Sequence, residues 1–299
     1  MSGYWLRRIE RLDPVTDHQE IYRISIGYEF PWDYQRALEF ALFRTYCVPS
    51  ISNLLSATRE FAERPQRRYD DTALLMAELA EHGYDSPRGR EALSVVNRMH
   101  GRYRISNDDM LYVLSTFVFD PIEWIDRYGW RRLHEHERQA AYHYFFEVGR
   151  RMGIKEIPAG FAEFRRFKDA YEREHFVYSD TNHEIGTYTL NLFASWYPGP
   201  LRGAVSTGAK SLLDPLMLAA FGFDPAPAWV GRLVRGALRA RAVLERPLPR
   251  RRRSKLLRPG SAKSHPDYPN AKTPADIGAP EPPKDIDPAH LRRPRTPTA

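Results

Sequence analysis

Cysteine is nearly missing from this 299-residue chain, where Cys47 stands alone. One thiol excludes an intrachain disulfide and any cysteine-built zinc cluster, and it is compatible with a reducing compartment. Long apolar runs are missing too. The longest uncharged stretch, Ile185 to Leu201, contains Pro198-Gly199-Pro200 and is too broken and too polar for a membrane span. At the start of the sequence, Arg7, Arg8, Glu10, Arg11 and Asp13 interrupt any signal-peptide core. The expected location is therefore the cytoplasm, or the periphery of a membrane. There is no glycine-rich phosphate loop and no G-x-S-x-G elbow. Alternating strand patterns, a strand–helix–strand rhythm and internal repeats are all absent.

What the chain does have is charge, unevenly placed. It carries 45 Lys+Arg and 38 Asp+Glu, a net of +7 that by itself suggests a polyanion partner. Residues 246–299 hold 13 of the basic and 5 of the acidic residues, a net of +8, so the rest of the chain stands at −1. The same stretch holds 12 of the 24 prolines, the run Arg250-Arg251-Arg252-Arg253 and the segment Pro280-Glu281-Pro282-Pro283. Such a composition buries too little apolar surface to offset ordering entropy, and it predicts a disordered, partly polyproline-like tail. The basicity is an appendage, and no specific nucleic acid is expected to bind the body.

The body reads as helix after helix, which gives an all-α fold class. Gln35–Cys47 is apolar on most sides, and Pro49 ends or kinks it. Asp70-Asp71 is read as the N-cap of a helix through His82, with Gly83 as its stop. Ser86 and Pro87 start a helix ending at His100–Gly101. Ser106, with Asp109 three residues on, resembles a capping box ahead of an apolar helix over Met110–Phe119. Further helices are expected over His134–Met152, Phe161–His175, Asn182–Phe193, Pro215 to Gly222 with Asp214 as cap, and Ala228–Glu245. That last helix is expected to bury Trp229, Leu233, Ala237 and Leu244, and to show Arg232, Arg235 and Arg239 on its other side.

Few residues point to chemistry by spacing alone. Cys47 sits in an apolar helix and reads as a structural thiol. His134 and His136 diverge on a helix, and His136 and His143 stand two turns apart, about 10 Å, so neither pair suits a shared metal ion. Asp108-Asp109 reads as a cap. His100 lies at i+7 from Leu93 on an apolar face. It is either a satisfied core histidine near a helix C-terminus or a site residue.

The motifs then match a known pattern. The segments Phe40-Ala41-Leu42-Phe43-Arg44-Thr45-Tyr46 with Pro49-Ser50-Ile51-Ser52, then Arg68-Tyr69-Asp70-Asp71-Thr72-Ala73, open it. Arg98-Met99-His100, Leu111 to Phe117, Pro121-Ile122-Glu123-Trp124, Tyr128-Gly129-Trp130-Arg131 and Gly149 with Met152-Gly153-Ile154 continue it. In this order, over roughly 28–248, they resemble the MpaB-type oxygenases, a family that includes a fungal enzyme of secondary metabolism and is related to the rubber oxygenases called latex clearing proteins.

That resemblance implies an all-α oxygenase fold that uses haem b and O₂ to cleave a carbon–carbon double bond. The substrate it implies is apolar, isoprenoid- or lipid-like. Carried over by position, His100 is the candidate metal ligand and Arg98 the basic residue over the haem, both in catalytic roles. Arg44 and Tyr46 join them as candidate cofactor-binding residues. Leu114 stands where many bacterial relatives carry the axial histidine. Either His100 takes that role, or another histidine does, or the metal centre differs. A fungal relative begins with a membrane helix that is not seen here. The expected division is an N-terminal segment 1–27, a catalytic domain 28–245 and the tail 246–299. The rival reading is a non-catalytic member, or a membrane-surface or polyanion binder working through the basic helix and tail, 228–258.

Overall fold

Proline and short polar side chains decide where the helices begin. The structure, a computed structural model, describes residues 3–256 and 273–278. Two short helices come first, α1 (Tyr4–Ile9) and α2 (His18–Ile24), and α2 widens into a π-helical turn over Ser25–Glu29. Pro31, Pro49 and Pro65 each occupy a first helical turn, where the missing N–H has no intrahelical partner to lose. They open α3 (Pro31–Thr45), α4 (Pro49–Thr58) and, after the single turn α5 (Glu60–Glu63), α6 (Pro65–His82). Ser86 and Ser106 each accept the backbone N–H three residues on, and start α7 (Pro87–His100) and α8 (Asn107–Tyr128). A capping box between His134 and Glu137 opens α9 (Glu135–Arg151), and α10 (Phe161–His175) follows. Ser179 caps α11 (Asp180–Ser195), and α12 (Arg202–Lys210) comes next. Asp214 caps α13 (Pro215–Phe221), and α14 (Ala228–Glu245) is the last long helix. Each side-chain cap contributes about 1 kcal/mol. No strand occurs among the described residues, so the all-α class holds.

The middle of the molecule is α8. Tyr112, Val118 and Ile125 are fully buried along it, and it packs on α3, α9 and α10. It runs on through Pro121 to Tyr128, past the expected end at Phe119. Burial on both sides outweighs the one hydrogen bond that proline removes. The start of α6 also differs from expectation. Asp70 and Asp71 do not cap it but lie buried in its second turn, because Pro65 starts the helix earlier. The boundary drawn at 27/28 does not separate two bodies: Ile9, Ile21 and Ile24 are buried together with Ala140 of α9.

The C-terminal stretch departs furthest from its composition. Residues 246–256 lie against the body as a strap. Arg251 donates to Glu245 and to the Tyr28 and Glu29 carbonyls, and Trp5 Nε1 donates to the Arg251 carbonyl. Ser254 donates to Glu81, Lys255 N–H bonds the Gly27 carbonyl at 2.9 Å, and Leu256 packs on the core. Residues 273–278 dock separately, burying Ile277 against α7. Part of the predicted tail is therefore ordered, because arginine can satisfy buried carbonyls and carboxylates that apolar residues cannot. The remaining expectation of disorder falls on 257–272 and 279–299, outside the described residues.

The core side of α14 also differs from expectation. Trp229, Leu233, Ala237 and Leu244, expected inside, are exposed, as Arg232 and Arg239 are, while Val230, Ala242 and Glu245 are buried. Arg241 pins the helix by reaching fully buried Asp33 at 2.7 Å and Glu245 at 3.1 Å. Among the described residues no helix is long and apolar enough to cross a membrane.

A chain ending at Glu245 is expected to melt on the order of 5–10 °C below one ending at Gly278, which keeps both docked pieces. Thermal unfolding of the two chains checks this, and equal midpoints would contradict the strap.

Candidate functional site

Helices α3, α4, α6, α7, α8 and α9 do not close completely on one another. They leave a cavity of about 870 Å³, within the roughly 300–1,000 Å³ range of cofactor and small-molecule sites. Its wall is mostly aliphatic and aromatic, with Leu42, Leu75, Val113, Leu114, Phe117 and Val148 prominent. A smaller cavity of about 80 Å³ shares Leu42, Thr72, Met76 and Phe117 with it and is closed by Lys255 and Leu256 of the strap.

His100, at the last turn of α7, is the one histidine on the wall of the larger cavity. Its Nδ1 is buried with no hydrogen-bond partner among the described residues. Burial and, second, the charge on Arg68 lower its pKa to about 4, and the Val96 carbonyl one turn back only partly offsets them. The imidazole is therefore neutral at physiological pH, the form that ligates metals. Arg68 of α6 lines the same cavity and donates to Thr72 Oγ1 at 2.5 Å. Tyr46 lines it too. Burial raises its phenol to about 12 despite the nearby Arg68 charge. One guanidinium thus lies within electrostatic reach of His100, Tyr46 and Tyr103.

Sequence position assigned the basic role to Arg98, and the structure does not bring it to this cavity. Arg98 is exposed and lines a shallow depression with Tyr84, Asp85 and Arg151. Two residues along a helix turn the side chain by about 200°, so His100 and Arg98 face opposite ways. Arg68 was missed as a site residue. Its signal lay in the spacing of Arg68, Asp71 and Thr72, at i, i+3 and i+4 on one helix face.

Arg44 is not on the cavity wall either. It is a buried girder that meets Asp120 of α8 at 3.4 Å, Glu172 of α10 at 2.9 Å and the α13 cap Asp214. Lys168 completes the cluster, 3.1 Å from Asp120 and 2.6 Å from Glu172. Burial raises the Asp214 carboxyl, but Arg44 outweighs it and holds the group below the ordinary carboxylate value. Burial pushes the Cys47 thiol well up, in keeping with a structural role.

Leu114 lies where an axial histidine was looked for. A Cβ on Gly149 of α9 would come within 2.4 Å of its Cδ2, so the bare glycine leaves room for this leucine. The other described histidines lie off the larger cavity. His134 caps α9, His136 meets the Ile9 carbonyl, His183 meets the Phe221 carbonyl, His175 stacks on Tyr171, His18 meets the Tyr84 hydroxyl, His82 lies 3.5 Å from Glu78 and His143 packs on Tyr142.

No group of three or more His, Cys, Asp or Glu able to hold a metal ion occurs among the described residues. A haem brings its own equatorial ligands and asks the protein for one imidazole. His100, the one histidine on the cavity wall and neutral there, fits that demand. Arg68 offers a cation for a carboxylate.

The result is an all-helical body around a mostly apolar cavity, whose wall carries His100 together with Arg68, Arg102 and Arg104. The chain belongs to the family described as "ER-bound oxygenase mpaB/B'/Rubber oxygenase, catalytic domain", whose family model matches residues 41–245. It is similar to "ER-bound oxygenase mpaB" of Penicillium brevicompactum, 30% identical over 240 residues that cover 73% of this chain and 61% of that protein. It is 34% identical to "ER-bound oxygenase mpaB" of Penicillium roqueforti (strain FM164) over 166 residues, 52% of this chain and 56% of that protein. It is 28% identical to "ER-bound oxygenase mpaB'" of Penicillium brevicompactum over 241 residues, 74% of this chain and 57% of that protein. The chain thus spans less than two thirds of the length of these relatives.

Replacing Arg44 by Met strands buried carboxylates and is expected to cost about 3–5 kcal/mol. Arg98→Ala is expected to stay within about 0.5 kcal/mol of the parent. Urea unfolding of both variants checks the contrast.

Proposed function

We propose that this chain is an oxygenase that holds haem b in the 870 Å³ cavity and oxidises an apolar, unsaturated, isoprenoid- or lipid-like substrate. One observation carries the reading: the half-buried His100 imidazole, neutral although the Val96 carbonyl favours its charged form, stands on the wall of a mostly apolar cavity. The family relationship supports the oxygenase class.

When bound, haem supplies the O₂ chemistry, in which each carbon of a cleaved double bond ends with one oxygen atom as a carbonyl. His100 would provide the imidazole that holds it, and stays unprotonated because burial and Arg68 disfavour the imidazolium. The Arg68 guanidinium would pair with an anionic group of the cofactor. Leu42, Val113 and Phe117 line the cavity and would favour a hydrocarbon chain by burial of apolar surface. The Tyr46 phenol stays protonated and can donate a hydrogen bond into the cavity.

Protein produced with haem supplied is expected to carry close to one haem per chain, seen as a Soret band and matching iron content. It should consume O₂ and form carbonyl products with an apolar polyene. Colourless, iron-free protein from the same preparation would overturn the cofactor assignment.

A further inference from the structure

The exposed face of α14 has no duty in the cavity, and it is built unlike the rest of the surface. Trp229 is 61% exposed, Leu233 64%, Val243 59% and Leu244 72%, and just beyond the helix Leu248 is 57% exposed. At 3.6 residues per turn the four helical positions fall on one stripe, with Gly236, Ala237 and Ala240 between them. The small residues leave the stripe flat. Arg232 and Arg239 run along one edge of it, both exposed and neither in an ion pair among the described residues. The other arginines of the helix are engaged inward, Arg235 on the Ser211 carbonyl and Arg241 on Asp33. The only acidic residue of α14, Glu245, is buried between Arg241 and Arg251. The face therefore presents apolar surface and positive charge with no negative charge at all.

We propose that α14 docks this protein on an anionic lipid surface, lying in the plane of the interface with Trp229, Leu233 and Leu244 in the headgroup–acyl boundary. The charge pattern selects this occupant. A second copy of the chain would set Arg232 and Arg239 against a face of the same sign, whereas anionic headgroups match them. Tryptophan with leucine on one side and arginine at the edge is the composition of an interfacial helix. Helix α14 is fixed to the body through Asp33, so docking would hold the whole domain at the bilayer, where an apolar substrate dissolves.

The test uses the full chain and two surface variants, the triple Trp229→Ser, Leu233→Ser, Leu244→Ser and the double Arg232→Glu, Arg239→Glu. Thermal unfolding first confirms that both fold, as substitutions at exposed positions should. Flotation with phosphatidylcholine vesicles, with and without phosphatidylserine, is the readout. The parent is expected to bind the phosphatidylserine vesicles, and each variant to lose about tenfold or more in partition. Equal binding by the parent and both variants, or no binding by the parent, would overturn the proposal. So would light scattering that shows a dimer in the parent and a monomer in the triple variant without vesicle binding, which would make the face a self-association surface. None of these results depends on haem content.

Discussion

Arg44 cannot give up its proton inside the protein, so the elements that surround it must bring carboxylates. They come from α8, α10 and the cap of α13, and Lys168 balances part of the excess negative charge. This cluster ties α3 to the helices packed around it. The same logic recurs at Arg131, which bridges Glu29 in the π-helical turn to Glu137 of α9 at 2.8 and 2.5 Å, and at Arg241 with Asp33. A domain with a large cavity forgoes dispersion contacts along the lining. The paired charges and the C-terminal strap supply cross-links that do not require the cavity to be filled.

Local signals made the helix ends legible, and long-range partners stayed hidden. Ser86, Ser106 and Asp214 mark helix starts in the sequence as they do in the structure, since a cap is a contact between neighbours. Pro65, a stronger local start signal, outranks Asp70-Asp71 at the start of α6, whereas Pro121 sits inside α8 because packing outweighed the local preference. The ordered strap was hidden for another reason. Arg250-Arg251-Arg252-Arg253 and its prolines look like a solvated tail until Glu29, Glu81 and Glu245 are seen to meet it. For α14 the stripe was legible, but which side faces the core was not. That depended on Arg241 finding Asp33, more than two hundred residues away.

The candidate site was legible in the same partial way. His100 stood out as a histidine on an apolar face, and it lies on the cavity wall. Arg98 and Arg44 looked equally suited to a cofactor, since sequence does not distinguish a buried girder, a surface cation and a site cation. The structure separates them: Arg44 into an ion cluster, Arg98 to solvent, and Arg68 to the place beside His100. The cavity thus joins one imidazole to a mostly apolar wall, with Arg68 the guanidinium whose charge acts on His100.

If His100 anchors the cofactor, as we propose, exchange of its imidazole shows it. A His100→Gly chain keeps the cavity and removes the ligand. The account predicts that it loses most of its haem and regains the parent absorption spectrum when free imidazole is added. Full haem content with an unchanged spectrum in the glycine variant, without imidazole, would contradict it.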